Sequence, residues 1–248
     1  MLKIIQVGHN DASDRYIRNK IKAIEEAGMQ AEVVNLDENC TTDDIKETIC
    51  DQVIDIRTTA ILVQLPLPDH IDKNKVLLSI PTWMDIDGLN PKSNFKPLTP
   101  CAIMRWLEER NVNLYGATVA IFGRSELVGK PLANMLIDAG ATVTVMNSKT
   151  EYEVKQDACK HADIIVSAVG KIGAVGLRQV YCNVRKPLVI DVGINKDIHG
   201  HLCGDVDDVA RKWVEGNGGY CTPVPGGVGK WTVKELVLRL HEMEDNKS

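Results

Sequence analysis

The chain has 248 residues, 44% of them hydrophobic and 25% charged, which suits one large globular domain or two smaller ones. Its net charge is −5 and it has no basic tract, which argues against a nucleic-acid partner. No apolar run reaches membrane-spanning length, and the seven scattered cysteines lack C-x-x-C spacing, so we expect a cytoplasmic protein without membrane contact, disulfides or metal.

The first part of the chain alternates between strand and helix patterns. Short apolar and β-branched runs predict strands at 3–7, 31–36 and 60–64. A helix with Ser13 as its N-cap follows the first strand, and a second helix begins at Thr42. The residues of the second helix that we expect to face inward are Ile45, Ile49 and Ile56. This order predicts an open parallel sheet, whose ligands bind beyond the carboxyl ends of the strands.

Polar residues follow the carboxyl ends of two of these strands. Tyr16 and Lys20 lie one helical turn apart on the helix after the first strand, and Gln64 ends the third strand. Most lysines lie on solvated surfaces, so spacing alone favours a solvated helix face for Lys20 over a catalytic role.

The middle of the chain has the pattern of a βαβ unit. An apolar strand at 119–122 ends at Gly123, a helical pattern follows, and a second buried strand is predicted at 142–146. In such a unit the first turn faces a helix N-terminus, where N–H groups and the helix dipole attract phosphate. We therefore predict a nucleotide site between Gly123 and Gly129. The Rossmann fingerprint is imperfect, because Ser125 replaces its second glycine and Gly129 comes one residue late.

The end of the second strand of this unit indicates the type of dinucleotide. NAD sites usually place an acid there for the ribose 2′-hydroxyl, whereas this chain has Asn147, Ser148 and Lys149. Arg124 lies in the first turn. Two cations without an acid favour the 2′-phosphate of NADP, although a plain parallel crossover with a solvated lysine explains the same residues about equally well.

Further patterns extend the second sheet. Strands are predicted at 164–167, 188–192 and 219–222. Val169, Gly170 and Ile194 follow two of these strands, on the side where a dinucleotide would lie.

Seven segments together indicate a family. They are 13–23 (SDRYIRNKIKA), 63–68 (VQLPLP), 85–88 (DIDG), 123–131 (GRSELVGKP), 191–195 (DVGIN), 204–206 (GDV) and 222–229 (TPVPGGVG). In this order they resemble the bifunctional methylenetetrahydrofolate dehydrogenase/cyclohydrolase (FolD) family nearly from end to end. One such segment would be a weak signal, but all of them in order are highly specific.

The resemblance implies a fold, an activity and an assembly. The fold would be α/β, with an N-terminal open α/β lobe and a Rossmann-like NADP-binding lobe joined by two linking helices with a cleft between. The linking helices would lie at about 100–109 and 232–243, where the sequence supports them with an apolar helix face. The lobes would comprise residues 1–99, completed by the C-terminal helix 231–248, and residues 100–230. The enzyme would oxidise 5,10-methylenetetrahydrofolate with NADP and hydrolyse the methenyl product to 10-formyltetrahydrofolate. We expect a homodimer that acts on tetrahydrofolate one-carbon derivatives.

The resemblance also implies roles for the folate-binding residues. Lys20 would transfer protons during the hydrolysis, Gln64 would orient it, and Tyr16 would pack on the folate ring. Asp87 would accept hydrogen bonds from the amino and ring N–H groups of the pterin. The loop residues that would approach the folate through their backbone are Pro225, Gly226 and Gly227.

On the cofactor side, the resemblance implies that Arg124 and Ser148 hold the 2′-phosphate of NADP. Ser125 would lie near the pyrophosphate or the nicotinamide. Thr232 would either reach the nicotinamide carboxamide or serve only as a helix N-cap, and the sequence leaves both open. The residues that would line the remaining cofactor surface are Val169, Gly170 and Ile194.

The chain departs from the family pattern at several places, including the following two. The loop between Asp87 and Pro97 is shorter than usual, and Lys230-Trp231 replaces a common Pro-Met. Two alternatives therefore stay open: a dehydrogenase with weak or no cyclohydrolase activity or with a preference for NAD, and a folate- or nucleotide-binding protein without turnover. The retained Lys20 argues against the second alternative.

Overall fold

The computed structural model describes residues 1–247, apart from the side chains of Asp11 and Ala12. The final residue of the predicted helix 231–248, Ser248, lies outside the described residues. The chain divides into two units, one formed by residues 1–98 with the chain from residue 233 onward, and one formed by residues 99–232.

Strands and helices alternate along most of the described chain. The strands are β1 (Leu2–Val7), β2 (Ala31–Leu36), β3 (Ala60–Val63), β4 (Thr118–Phe122), β5 (Thr142–Met146), β6 (Ile164–Ser167), β7 (Leu188–Asp191), β8 (Asn195–Lys196), β9 (Leu202–Cys203) and β10 (Tyr220–Cys221). The helices are α1 (Asp11–Glu26), α2 (Thr42–Ile54), α3 (Lys73–Ser79), α4 (Leu98–Glu109), α5 (Gly129–Asp138), α6 (Tyr152–Lys160), α7 (Leu177–Val180), α8 (Asp208–Gly216) and α9 (Val228–Asp245).

The first unit is built on a parallel sheet with the strand order β2-β1-β3. This confirms the open parallel sheet predicted from the alternation of strands and helices. Because the chain moves from β1 to one side and returns to the other, the strand order reverses between β1 and β3. Ligands of open α/β sheets bind at such a switch point, beyond the carboxyl ends of the strands.

Both faces of this sheet are covered. Successive strand side chains point to opposite faces, so Ile4 of β1 packs with Leu236 of α9, while Ile5 packs with Ile45 and Ile49 of α2. All five side chains are at most 1% exposed, and burying one such side chain contributes about 1.5–3 kcal/mol. The apolar residues of β1 therefore fix the sheet between two helical layers.

Two predictions about helices in this unit are wrong. Ser13 lies inside α1, and Asn10 caps this helix instead, because its Oδ1 accepts a 3.3 Å hydrogen bond from the backbone N of Ser13. Ile56 is 88% exposed, because α2 ends two residues before it. The helix cap matters for function, since it sets where α1 starts beyond β1.

The second unit contains a five-stranded parallel sheet with the order β10-β7-β6-β4-β5. Counted along the chain this order is 2-1-3-4-5 from the β5 edge, a doubly wound arrangement with its switch point between β4 and β6. On the β4 strand, Val119 and Ile121 pack on Leu132 and Leu136 of α5, whereas Phe122 belongs to the core on the other face.

The predicted burial of β5 is wrong. This strand lies at the edge of the sheet, and Thr142, Thr144 and Val145 are exposed. Its apolar and β-branched composition suits a strand in either position. Only the lateral order of the strands decides that β5 has a solvent-facing side.

Candidate active site

Lys20 lies at the switch point of the first sheet. Helix α1 starts beyond β1 and carries Tyr16 and Lys20, while Gln64 directly follows β3. The Nζ of Lys20 donates a 3.0 Å hydrogen bond to Oε1 of Gln64 and lies 5.9 Å from the centroid of the Tyr16 ring. Lys20 is only 7% exposed, so its interpretation as a solvated surface residue is wrong.

The amide of Gln64 is held in one orientation. Its backbone N donates to the carbonyl oxygen of Ile5 at 2.8 Å, and its side-chain Nε2 donates to the carbonyl oxygen of Leu65 at 2.6 Å. The acceptor Oε1 therefore faces Lys20. An ammonium and a neutral amine can both donate to this oxygen, so the contact can persist when Lys20 changes its protonation state.

Burial shifts the proton affinity of all three ionisable side chains at this site. Removal from water lowers the pKa of Lys20, and the negative charge of Asp87 opposes that shift. Burial raises the pKa of Asp87, opposed by the charges of Lys20 and Arg239, and it raises the pKa of Tyr16. A lysine with a lowered pKa reaches its neutral form closer to neutral pH, which general base catalysis requires.

Arg239 of α9 holds the two ends of the short loop that begins at Asp87. Its Nη1 donates to the carbonyl oxygens of Ile86, at 2.9 Å, and Lys96, at 2.8 Å. Its guanidinium also lies 5.4 Å from the centroid of the Phe95 ring. The loop is therefore closed at its base by a buried cation whose charge also acts on Asp87.

No motif points to Arg239, and reasoning from the sequence missed it. A signal exists in the helix pattern, because Arg239 follows the buried Leu236 by three residues and so falls on the apolar face of α9. Arginine is almost never fully buried without a partner. A cation on an apolar helix face therefore indicates buried acceptors on another element.

Two glycines let the turn after β4 approach its neighbours closely. A Cβ atom at Gly123 would lie 2.4 Å from the carbonyl oxygen of Ala168, and one at Gly129 would lie 2.2 Å from that of Gly123. Gly123 also has a φ of +108°, in the region that favours glycine. Gly129 therefore lets the start of α5 pack closely on the turn. The last glycine of the Rossmann fingerprint has the same role, although Gly129 lies one residue later than the fingerprint requires.

Ser125 engages the N–H groups at the start of α5. Its Oγ accepts hydrogen bonds from the N atoms of Val128, at 3.2 Å, and Gly129, at 3.5 Å, and its carbonyl oxygen accepts one from Lys130 N at 3.1 Å. Pro131 has no N–H. These first-turn N–H groups already donate to Ser125, so they are not the phosphate ligands expected from the sequence. A phosphate would interact with the helix dipole and the exposed turn instead.

Arg124 and Ser148 lie beyond the ends of adjacent strands. The last residues of β4 and β5 are paired with each other, and Arg124 and Ser148 each lie two positions after the last residue of their strand. Both side chains are exposed. In the turn after β5, the Oδ1 of Asn147 accepts a 2.8 Å hydrogen bond from Lys149 N. The structure thus places a guanidinium and a hydroxyl on neighbouring strand ends, without an acid at 147–150.

Val169, Gly170 and Ile194 follow β6 and β7. Val169 is 46% exposed and Ile194 is 49% exposed, while Gly170 has a φ of +70°. Their backbone lies at the carboxyl edge of the sheet, and the segment after β6 closely approaches the turn at Gly123 through Ala168. Their predicted contact with a cofactor remains a prediction.

The loop before α9 also depends on glycine. Gly226 has a φ of +107°, and a Cβ atom at Gly227 would lie 2.5 Å from the carbonyl oxygen of Pro223. A side chain at either place would strain the loop. The predicted approach of Pro225, Gly226 and Gly227 to folate is compatible with this tight backbone and remains a prediction.

Thr232 does not cap a helix. Helix α9 begins four residues earlier, at Val228, and the Oγ1 of Thr232 lies 3.1 Å from the carbonyl oxygen of that residue. The same Oγ1 lies 3.4 Å from Oγ1 of Thr99. The N-cap interpretation is therefore wrong, and the contact with the nicotinamide carboxamide remains a prediction.

Family models cover most of the chain. Residues 1–87 match the catalytic domain of tetrahydrofolate dehydrogenase/cyclohydrolase, and residues 97–248 match its NAD(P)-binding domain. The chain belongs to the tetrahydrofolate dehydrogenase/cyclohydrolase family. This membership confirms the predicted α/β fold, both predicted activities and the dinucleotide cofactor.

Similar proteins carry the name FolD. The bifunctional protein FolD of Streptococcus thermophilus (strain ATCC BAA-491 / LMD-9) is 40% identical over 251 residues, which cover 97% of this chain and 85% of the relative. The crystal structure of the FolD enzyme from Campylobacter jejuni has a TM-score of 0.91 at 37% identity, covering 100% of this chain and 88% of that one. The Trypanosoma brucei enzyme, complexed with NADP and an inhibitor, has a TM-score of 0.88 at 34% identity, covering 99% and 86%.

The described residues of this family member contain neither a membrane-spanning helix nor a cluster of metal ligands. None of the helices within residues 1–247 combines the length and apolar character needed to cross a bilayer. Over the same residues, no three side chains of His, Cys, Asp or Glu are grouped so that they could share a metal ion.

The lowered pKa of Lys20 predicts a specific pH dependence of stability. Between the folded pKa and the unfolded value of 10.5, the unfolded chain binds more protons, so the wild type gains stability as pH rises. Lys20→Met lacks this gain. In urea unfolding from about pH 7 to about pH 10, the free energy of unfolding of the wild type should rise relative to that of Lys20→Met. A constant or falling difference contradicts the lowered pKa.

Proposed function

We propose that this chain oxidises 5,10-methylenetetrahydrofolate with NADP and hydrolyses the methenyl product to 10-formyltetrahydrofolate, with Lys20 as the proton-transfer group. The observation that carries this proposal is the buried amine of Lys20, 3.0 Å from the Gln64 amide oxygen and within the field of Asp87. Burying a lysine is unfavourable for folding, so a protein that only bound folate would gain nothing from it. A dehydrogenase without cyclohydrolase activity would not need this proton-transfer group either, so the buried lysine also argues against the monofunctional alternative.

The hydrolysis requires proton transfer at two places. Water attacks the methenyl carbon, the bond between this carbon and N5 of the pterin breaks, and the formyl group stays on N10. The neutral amine of Lys20 takes one proton from the attacking water, and the resulting ammonium gives a proton to N5 as it leaves. The second proton of the water goes to solvent. Gln64 keeps the amine in place throughout, since its Oε1 accepts from both forms.

Asp87 and Tyr16 are proposed to bind the pterin. A carboxylate can accept two parallel hydrogen bonds from the amino group and a ring N–H of the pterin. The charges of Lys20 and Arg239 favour the ionised form of Asp87 that this requires. Tyr16 offers its ring beside Lys20, and Pro225, Gly226 and Gly227 would add backbone contacts.

NADP fits the residues at the switch point of the second sheet. The turn from Gly123 to Gly129 is closely packed at both glycines, which leaves no room for a side chain there. No side chain at these two positions therefore obstructs the approach of a cofactor. Arg124 and Ser148 offer a guanidinium and a hydroxyl to a 2′-phosphate, and Ser125 lies in the same exposed turn. Bound NADP supplies the nicotinamide that accepts a hydride from the methylene carbon of the folate. Residues proposed to line the remaining cofactor are Val169, Gly170, Ile194 and Thr232.

The organisation of the enzyme is part of the same proposal. Residues 1–99 with helix 231–248 would bind folate and carry the proton-transfer group, and residues 100–230 would bind NADP. Strand β5 supports a homodimer, because it is an exposed edge strand whose free backbone groups can pair with a second copy. The seven free cysteines support a cytoplasmic location.

Replacing Lys20 tests the catalytic role. Lys20→Met should lower the rate of methenyl hydrolysis by at least about a hundredfold, because the proton-transfer group is lost, while folate still binds. Loss of methenyl absorbance gives the rate, and a fluorescence titration gives the folate affinity. The matched control is Lys22→Met on the exposed face of the same helix, which should hydrolyse at the wild-type rate. Methenyl hydrolysis by Lys20→Met at the wild-type rate would refute the assignment.

Replacing Arg124 tests the choice of cofactor. Arg124→Ala should raise the KM for NADP by about tenfold or more, the effect of losing a hydrogen bond between charged groups, and leave the KM for NAD within about twofold. NAD serves as the internal control, because it lacks the 2′-phosphate. Steady-state assays with both dinucleotides measure this. An equal loss with NADP and NAD, or a wild type that prefers NAD, contradicts the proposed 2′-phosphate site.

A further inference from the structure

The carboxylate of Asp205 gathers the backbone of the loop after β6. Its Oδ2 accepts hydrogen bonds from Val169 N at 2.8 Å and Gly170 N at 3.1 Å, and its Oδ1 accepts one from Lys171 N at 2.8 Å. Asp205 is fully buried. Hydrogen bonds from N–H groups to a carboxylate are stronger than those to a neutral acceptor. The conformation of residues 169–171 is therefore tied to this one side chain.

Both oxygens of Asp205 have additional side-chain partners. Ser167 Oγ donates to Oδ2 at 3.0 Å, and Asn195 Nδ2 donates to Oδ1 at 3.0 Å. A Cβ atom at Gly193 would lie 2.0 Å from Oδ1, so the carboxylate occupies space that only a glycine leaves open. The surroundings of Asp205 thus form a socket whose donors point at a carboxylate.

A second buried carboxylate fixes this socket to the sheet. Asp191, the last residue of β7, accepts a 2.8 Å hydrogen bond from the backbone N of Asp205. Its Oδ2 lies 3.3 Å from Nη2 of Arg211, so its charge is paired. Asp205 is therefore held in place by the last residue of β7. Its own hydrogen bonds in turn hold the loop at 169–171.

The order of the strands shows which part of a dinucleotide this loop can face. The loop follows β6, whereas Ser148 follows β5, and β4 lies between those two strands. The proposed 2′-phosphate site and the loop at 169–171 therefore lie on opposite sides of β4. A dinucleotide that crosses the switch point with its 2′-phosphate at Ser148 would present to the loop a part that NADP and NAD share.

We propose that Asp205 is a positioning residue for dinucleotide binding, which holds residues 169–171 against the part of the cofactor common to NADP and NAD. Its three N–H contacts turn the amides of the loop inward, so the loop presents the exposed Val169 side chain and the Cα of Gly170 to the ligand. This inference rests on the proposed function of the second unit. It adds a residue that acts through others rather than by contact.

The substitution Asp205→Asn tests this role with little change in volume. An asparagine keeps one acceptor oxygen and puts an NH2 donor in the place of the other. In either orientation of the amide, its NH2 group faces donors that bind a carboxylate oxygen in the wild type. These are the donors at Oδ2 in one orientation and those at Oδ1 in the other, and the hydrogen bonds on that side are lost. We expect the KM values for NADP and NAD to rise together, by about tenfold. The NADP/NAD preference and the KM for methylenetetrahydrofolate should stay within about twofold of the wild type.

Asp163→Asn is the matched control. Asp163 precedes β6 at the opposite, amino edge of the same sheet, and its Oδ2 likewise accepts a backbone hydrogen bond, from Thr118 N at 2.8 Å. This variant should lower the melting temperature without changing either dinucleotide KM. Hydrogen exchange gives an independent readout, since the amides of 169–171 should exchange faster in Asp205→Asn and at the wild-type rate in Asp163→Asn.

Three results would overturn the proposal. They are unchanged dinucleotide KM values in a folded Asp205→Asn, a matching rise in the KM for folate, and a change in the NADP/NAD preference. If Asp205→Asn does not fold, Ser167→Ala removes one donor and keeps the charge, and it should raise both dinucleotide KM values by about threefold; no rise overturns the proposal. If the wild type shows no turnover, the proposed function fails, and calorimetric titration of NADP and NAD still tests the role of Asp205.

Discussion

The proposed catalytic role of Lys20 depends on the charge balance around its buried amine. Burial favours the neutral amine, while Asp87 favours the ammonium, so the proton is held less tightly than on a lysine in water. Arg239 completes the balance, because its charge still stabilises the Asp87 carboxylate when Lys20 is neutral. Gln64 accepts a hydrogen bond from the amine in both states. In the proposed mechanism the proton can therefore leave and return while Asp87 stays ionised.

The same topological rule organises both units. In each sheet the strand order reverses beside the first strand of the unit, and the chemically informative residues lie beyond that reversal. In the first unit the reversal brings Lys20 to Gln64, and in the second it brings the turn at Gly123 against Ala168. In both units, parallel strands bring these residues together at the carboxyl edge of the sheet. Glycines permit the close approach of the backbone segments there.

Local pattern predicts elements well and their arrangement poorly. The strand at 31–36 is found at its predicted bounds, because a β-branched run bounded by polar residues needs no tertiary information. The burial of β5 was predicted wrongly, since the lateral order of strands is not a local property. The family resemblance indicated Lys20 and Gln64, but their contact spans 44 positions and the spacing of α1 favoured solvent for Lys20. Arg239 bonds to Ile86 across 153 positions, beyond the reach of any short motif.

The titration of Lys20 in the folded protein tests the central claim most directly. Lysine side-chain resonances can be followed by NMR as pH is raised, and the signal that is absent from Lys20→Met identifies Lys20. The geometry predicts a pKa below the ordinary value of 10.5, because burial outweighs the attraction of Asp87. A midpoint at or above 10.5 would contradict it, since Lys20 would then hold its proton too tightly to act as the base in methenyl hydrolysis.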